Sequence, residues 1–353
     1  MRARDASGFV LVLVLAMLVV LSLLAGGIAA TTARLRDHAE DRQRDLQDQV
    51  DMASTKATLY YLLSTQPMTI GGLTVDNRFA AIRARAEAEG LDFNFSVAPT
   101  RNEIALDGRV YRGLGDTRFA VQDDSGLFGI KLQPPEALAR LIAAHSGKSS
   151  VPPSVLIARL MDYEDQDDLY RLNSMEREGY AKLGLPPPSN LPLVTPMELL
   201  RIPGWREALA GMSGRGINAT ITTEATTLIN VNTAPLGALM TLQGVDAAMA
   251  ERVVARRKLQ PFMTGMDFYE FLGLASPFEP AIRLYPVTSG TLRLWGSRGG
   301  QVQLVHWKLT PGDDGGRPWR EDYELIDSQD SRLDDAAAQV GSRLFAKPVA
   351  APR

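Results

Sequence analysis

Between Leu160 and Tyr180 the chain concentrates hard oxygen ligands: Asp162-Tyr163-Glu164-Asp165-Gln166-Asp167-Asp168, then Asn173 and Glu176, with Arg171 between them. Five carboxylates within seven residues suit a hard cation such as Ca2+, which takes roughly six to eight oxygens. At helical spacing Asp162 and Asp165 share a face, and Asp167 and Asp168 fall on the loop that follows. The spacing is not that of an EF-hand, and the glycine of that loop is missing. A helix end with solvated acids is the competing reading.

A second pattern runs from Ile229-Asn230-Val231-Asn232-Thr233-Ala234-Pro235 through Leu242-Gln243-Gly244-Val245-Asp246 to Ala250–Arg257. Thr233 is placed to cap a helix with Pro235 in its first turn. Leu239 and Leu242 then face Val253 and Val254 across a glycine turn, as in a helix-hairpin-helix. A weaker copy is Glu198–Trp205. Hairpins that bind DNA carry a second glycine in the turn, whose amides cradle a phosphate. Here Asp246 takes that place, and a carboxylate repels phosphate. From Ala219 to Tyr285 five basic residues face six acidic ones, which is no cationic footprint. A packing hairpin is the preferred reading.

The remaining chemistry is sparse. The 353 residues include no Cys, which excludes disulfides, thiolate catalysis and Cys-ligated zinc. There are three His (His38, His145, His306), too few for a His-rich metal site, and His145 and His306 show no partner pattern and read as structural. Lys and Arg number 38 against 41 Asp and Glu, a net charge of −3, so the chain is not a generally basic nucleic-acid binder. Asp123-Asp124-Ser125-Gly126 reads as a tight turn between strands. No phosphate loop, nucleophile elbow or zinc signature is present, and an enzyme is not expected.

The elements that must carry these residues begin with Phe9–Ala30, 22 residues without a charge. Such a helix spans about 33 Å, enough to cross a bilayer core. Arg2 and Arg4 precede it, which puts the short end in the cytoplasm. A cleaved signal peptide and a retained anchor both fit this run. Thr31 to Thr65 holds no Pro or Gly and repeats apolar residues at helical spacing, so anchor and continuation read as one helix that ends before Pro67. Alternation at Phe93, Phe95 and Val97 and at Phe119 and Val121 predicts short antiparallel strands. Helical spacing takes over from Pro134, with stops at Pro186-Pro187-Pro188 and Pro192. Strand texture returns at Thr291–Trp295, Gln301–Leu309 and Trp319–Leu325. The two strand blocks are expected to join in one sheet, because two or three strands alone are marginal. The fold class is therefore α+β: a long N-terminal helix, an antiparallel sheet, and a large inserted helical domain with a helix-hairpin-helix.

Ser7-Gly8-Phe9 before the apolar run resembles the leader site of prepilins, where a peptidase cuts between Gly8 and Phe9 and leaves the helix in place. Counted from Phe9, the fifth residue is Leu13, where most pilins and pseudopilins have Glu. With Asp123–Gly126, the Asp162–Asp168 run, Glu176 and Tyr180, Pro186–Pro192 leading to Glu198-Leu199, and Asn230–Pro235, the chain resembles the K-class minor pseudopilins of type II secretion systems over about residues 1–310. It departs from them at Tyr163 and at Ser174-Met175, and the usual Asn after Gly126 is absent.

The resemblance implies a leader at 1–8, a membrane segment at 9–30 and the rest of a pilin helix at 31–66. It implies a pilin-like sheet domain at 67–133 and 284–327, a helical (SAM-like) insertion at 134–283, and a disordered tail at 328–353. It also implies a single-pass inner-membrane protein with its bulk in the periplasm. Its role would be structural, at the pseudopilus tip with the minor pseudopilins I, J and H. Prepilin peptidase would process it and N-methylate Phe9, and exoproteins or the secretin would engage the tip. Calcium would be held by Asp162, Asp165, Asp167 and Glu176. Leu13, Tyr60 and Leu63 are expected at partner contacts. A membrane-anchored DNA receptor of the competence type and a type IV minor pilin are the alternatives. A gel shift with duplex DNA separates the first of them: the expected outcome is no retention at low salt, whereas a DNA receptor would give retention that weakens steeply as salt rises.

Overall fold

The computed structural model describes residues 7–89, 98–145, 149–275, 282–296, 301–313, 316–328 and 337–345. The chain divides into two compact units, residues 1–51 and 52–353. Helix α1 runs Ser7–Thr65 without a break, as expected from a stretch with no Pro and with glycines only at Gly8, in its first turn, and at Gly26 and Gly27, in its apolar part. In the first unit its apolar part has a mean hydropathy of 2.9 with none of it buried. Leu13 is half exposed, and Leu23 and Ile28 more so. Side chains of this kind facing water are unfavourable, and the helix is long and apolar enough to cross a membrane. Beyond it the surface turns polar. Arg36 Nε pairs with Glu40 Oε1 at 3.1 Å and Arg44 Nη2 with Glu40 Oε2 at 3.3 Å, at the spacing that supports an exposed helix.

In the second unit the last turns of α1 bury Leu59, Tyr60, Leu62 and Leu63 against a sheet core that includes Phe119, Val121, Leu292, Leu294 and Trp307. Thr55 Oγ1 accepts from Leu114 N at 3.0 Å. The Tyr60 ring stacks on Trp319 at 5.3 Å. A small sheet follows the helix: β1 (Met68–Thr69), β2 (Gly72–Thr74) and, after helix α2 (Arg78–Ala88), β3 (Glu103–Ile104). The alternating Phe93, Phe95 and Val97 lie outside the described residues.

The main sheet starts with β4 (Asp107–Arg112) and β5 (Arg118–Asp123). A helical block then intervenes. Its small pieces β6 (Phe128–Gly129) and β7 (Ile221–Thr222) pair in parallel, as do β8 (Ile229–Asn230) and β9 (Ile282–Arg283). Its helices are α3 (Pro135–His145), α4 (Pro153–Glu164), α5 (Arg177–Lys182), α6 (Trp205–Ala208), α7 (Gly214–Thr220), α8 (Leu236–Leu239), α9 (Ala247–Leu259) and α10 (Gly265–Leu272). They enclose two cores. One is centred on Leu141, Leu156, Leu199 and Trp205, the other on Val231, Leu239, Val253, Phe262 and Phe268.

The chain returns to the main sheet with β10 (Ser289–Trp295), β11 (Gln301–Leu309) and β12 (Trp319–Ser328). β10 pairs antiparallel with β5, with Gly290 opposite Asp123. The two strand blocks thus share one sheet, and the helical block lies between two of its neighbouring strands. Gly290 is required there, because a Cβ would come within 2.3 Å of the Gln122 carbonyl oxygen.

The tail expected to be disordered contains structure. β13 (Ala338–Gln339) pairs in parallel with β4, giving the strand order β12-β11-β10-β5-β4-β13 among the described residues. Val340 and Phe345 are buried in the sheet core, and Phe345 stacks on Phe119 at 5.5 Å. Its Ala-rich, Pro-terminated composition hid this contact, because its stacking partner Phe119 lies more than two hundred positions earlier. Phe345→Ala is expected to lower unfolding stability by about 3 kcal/mol in urea melts, as for other buried phenylalanines. A free tail would leave it within about 0.5 kcal/mol of the parent.

Candidate functional site

Three of the four expected calcium ligands come together. α4 ends by carrying Asp162 into the interior, fully buried, and Asp165 closes the helix. The chain loops out and returns at Glu176, the residue before α5, whose side chain makes no cap bond. Asp162, Asp165 and Glu176 each present an oxygen within 4.8 Å of the others. Tyr163 and Tyr180 pack beneath them, ring centres 6.4 Å apart. Asp167 does not join the group. It is exposed, and its Oδ1 accepts from Leu169 N at 2.9 Å in a local turn. Glu164 faces elsewhere, accepting from Lys131 Nζ at 2.8 Å and Leu193 N at 2.6 Å.

The group is under-neutralised. Arg171 Nη1 donates to Asp162 Oδ1 at 2.7 Å and also to Asp165 Oδ2. Asp162 Oδ2, Asp165 Oδ1 and both oxygens of Glu176 are buried without a hydrogen-bond partner. Unpaired buried carboxylate oxygens are costly unless a cation or proton compensates them. The donor set, oxygens only and three carboxylates against one arginine, fits a calcium ion. Burial, then the neighbouring Asp162 carboxylate, push the Glu176 carboxyl up to about 7.

A different cluster joins the insertion to the sheet. Asp123, fully buried at the end of β5, accepts on Oδ2 from Ser125 Oγ at 2.5 Å, Thr233 Oγ1 at 2.8 Å and Asn230 Nδ2 at 3.1 Å. Its Oδ1 accepts from Val287 N at 2.9 Å and Ser125 N at 3.3 Å. Burial pushes Asp123 up to about 6, against the pull of the Ser125, Val287 and Thr233 donors. Thr233, expected to cap the hairpin's first helix, instead spends its hydroxyl on Asp123, and the residue before α8 is Pro235. Asn232 bonds Phe262 N at 2.8 Å and Phe262 O at 3.0 Å, and Arg257 donates to the Val231 and Ala234 carbonyls at 3.0 and 2.6 Å. Gly126 is required because a Cβ there would come within 2.5 Å of Thr233 Oγ1. The Asp123–Gly126 and Asn230–Pro235 motifs are therefore two halves of one clasp. Asp246, in the turn position that phosphate binding would leave to glycine, caps α9 by accepting from Met249 N at 2.8 Å.

Beside the clasp stands His306, which sequence reading left as structural. It is 3% exposed. Its Nε2 lies 2.9 Å from Asp124 Oδ2 and its Nδ1 3.0 Å from Asp322 Oδ2. Burial opposes its charge, but Asp124, Asp322 and Glu224 outweigh that and hold the imidazole above its ordinary range. The partners are distant in sequence, at positions 124 and 322, so no local pattern pointed to them.

Of the residues expected at partner contacts, Tyr60 and Leu63 are each 3% exposed and belong to the chain's own core, because the helix must turn that face to its sheet. They offer no surface. Tyr61 and Leu13 are exposed. Gly8 and Phe9 fall in the first turn of α1.

The chain is thus an α+β protein with one long apolar N-terminal helix and a helical insertion clasped to its sheet. No protein-family model and no curated protein matches it. Among solved structures, it aligns with a chain of the GspK–GspI–GspJ complex from the enterotoxigenic Escherichia coli type 2 secretion system, with 15% identity and a TM-score of 0.45, covering 84% of this chain and 100% of that one.

The raised Glu176 carboxyl makes a pH prediction for the protein held in chelator. A carboxyl with a native value near 7 and an ordinary value of 4.5 binds its proton more tightly when folded. Its contribution favours the folded state below about pH 4.5 and is lost as pH rises through 7. The melting temperature of the metal-free chain is expected to fall between pH 5 and pH 8, and Glu176→Gln to flatten that slope. An equal slope in both proteins would contradict the assignment.

Proposed function

We propose that this chain is a K-class minor pseudopilin of a type II secretion system. In this reading, residues 9–30 anchor it in the inner membrane, the rest lies in the periplasm, and its work is structural. The observation that supports the reading best is one architecture. A charge-free helix runs unbroken into the helix that packs on an antiparallel sheet, and a helical block is inserted between two neighbouring strands of that sheet.

Leu13 fits a subunit that starts or ends a filament. A carboxylate at that depth in hydrocarbon needs a cationic partner, which in pilins is the terminal ammonium of a neighbouring subunit. With Leu13 in that place the chain neither carries that cost nor offers that pairing. The insertion would crown the tip, and the minor pseudopilins I, J and H would assemble with it. Exoproteins or the secretin would meet that crown. The exposed face of α1 is the surface left for helix partners, since Tyr60 and Leu63 are spent on the sheet.

Calcium belongs to the same reading. Asp162, Asp165 and Glu176 would hold the ion, which would supply the positive charge that Arg171 alone does not. Bound there, it would tie the end of α4 to the start of α5.

Mass spectrometry of the protein from its native membrane tests the reading. The expected mature chain begins at Phe9 and carries an N-methyl group. A start at Met1 or near Ala30 would overturn it. Calcium added to the chelator-treated protein is expected to raise the melting temperature by several degrees in the parent and not in Glu176→Gln.

A further inference from the structure

Glu224, His306 and Asp322 form a second cluster with ligand atoms, separate from the acid loop. Each presents one such atom, and the three atoms lie within 4.8 Å of one another. They come from different parts of the chain. Glu224 belongs to the insertion, between β7 and β8, whereas His306 and Asp322 lie on β11 and β12.

The surrounding groups aim all three. Arg320 Nε holds Asp322 Oδ1 at 2.7 Å, which leaves Oδ2 facing His306 Nδ1 at 3.0 Å. Lys308 Nζ holds Glu224 Oε2 at 2.8 Å. Tyr323 stacks on the imidazole at 5.0 Å, nearly parallel at 11°. On the far side, Nε2 meets Asp124 Oδ2 at 2.9 Å. A carboxylate on the distal nitrogen is the usual outer support of a metal-bound histidine. It fixes the ring's tautomer and leaves the other nitrogen for the ion. Asp124 is itself 1% exposed, and its Oδ1 has no hydrogen-bond partner.

We propose that His306 Nδ1, an Asp322 oxygen and a Glu224 oxygen bind a zinc-type divalent ion that staples the insertion to the sheet. One imidazole with two carboxylates suits a borderline transition ion better than calcium, and three protein ligands leave a fourth tetrahedral position to water. Coordination replaces the proton on Nδ1, which leaves to solvent, while the ring keeps its Nε2 proton and donates it to Asp124 Oδ2. Zinc bonds of about 2.0–2.2 Å put ligand atoms roughly 3.4 Å apart, so Asp322 Oδ2, now 3.0 Å from Nδ1, opens slightly and Glu224 adjusts from within 4.8 Å. Both are partly exposed, at 29% for Glu224 and 22% for Asp322, and so have room to move.

Cobalt reads this site directly. The full-length chain in detergent, stripped with chelator, is titrated with Co2+ alone. The expected result is one ion per chain with intense visible ligand-field bands, abolished by added Zn2+. Glu224→Gln and Asp322→Asn are each expected to lose the bands with an unchanged far-ultraviolet circular dichroism spectrum. Glu176→Gln, at the acid loop, is expected to keep them. Absence of bands in the parent, or bands that survive Glu224→Gln or Asp322→Asn, would overturn the proposal.

Discussion

The second unit depends on one buried carboxylate. Its insertion leaves the sheet at the end of β5 and returns at β10, the strand paired with β5. Two crossings of the chain must therefore meet at one point inside the protein. Asp123 occupies that point and accepts from Ser125 beside it, from Asn230 and Thr233 in the insertion, and from Val287 on the return. A charge so deep persists only when its oxygens are satisfied, and here the donors come from all the segments that must be held together. Gly126 and Gly290 follow from the same closeness, since neither position has space for a side chain.

The acid loop answers the same physical problem in the opposite way. Asp162 and Glu176 are as buried as Asp123, yet one arginine reaches Asp162 and the oxygens of Glu176 are left bare. Without further charge, protonation is the only relief, which is why the Glu176 carboxyl sits near neutrality. A divalent cation removes the deficit without a proton. The two clusters separate a carboxylate used as a hydrogen-bond hub from carboxylates arranged as ligands, though both read as runs of aspartates in the sequence.

The side chains of helix α1 change character along its length. Its first part exposes aliphatic side chains all round, and its last turns bury one face only, with Tyr61 outward and Tyr60 inward. The first part is long and apolar enough to cross a membrane, and the last turns are covered by the sheet. Hence the face that looked available in sequence, Tyr60 and Leu63, is already taken.

Sequence alone determined the periodic and the local features. These are the unbroken apolar helix, its end before Pro67, the strand texture at Gln301–Leu309, the hairpin at Gly244, and the acids at the end of α4. Each rests on neighbours a few residues apart, so spacing and breakers were sufficient. Tertiary structure decided which of the acids converge and which do not: Glu176 joins Asp162 and Asp165, whereas Asp167 closes its own turn. It also turned Thr233 from a helix cap into a donor to Asp123, brought Asp124 and Asp322 to the two nitrogens of His306, and drew Phe345 from an unpromising tail onto Phe119. Each of those contacts joins segments brought together by burial, and burial depends on the whole chain's apolar surface finding cover at once, a property that no local window contains.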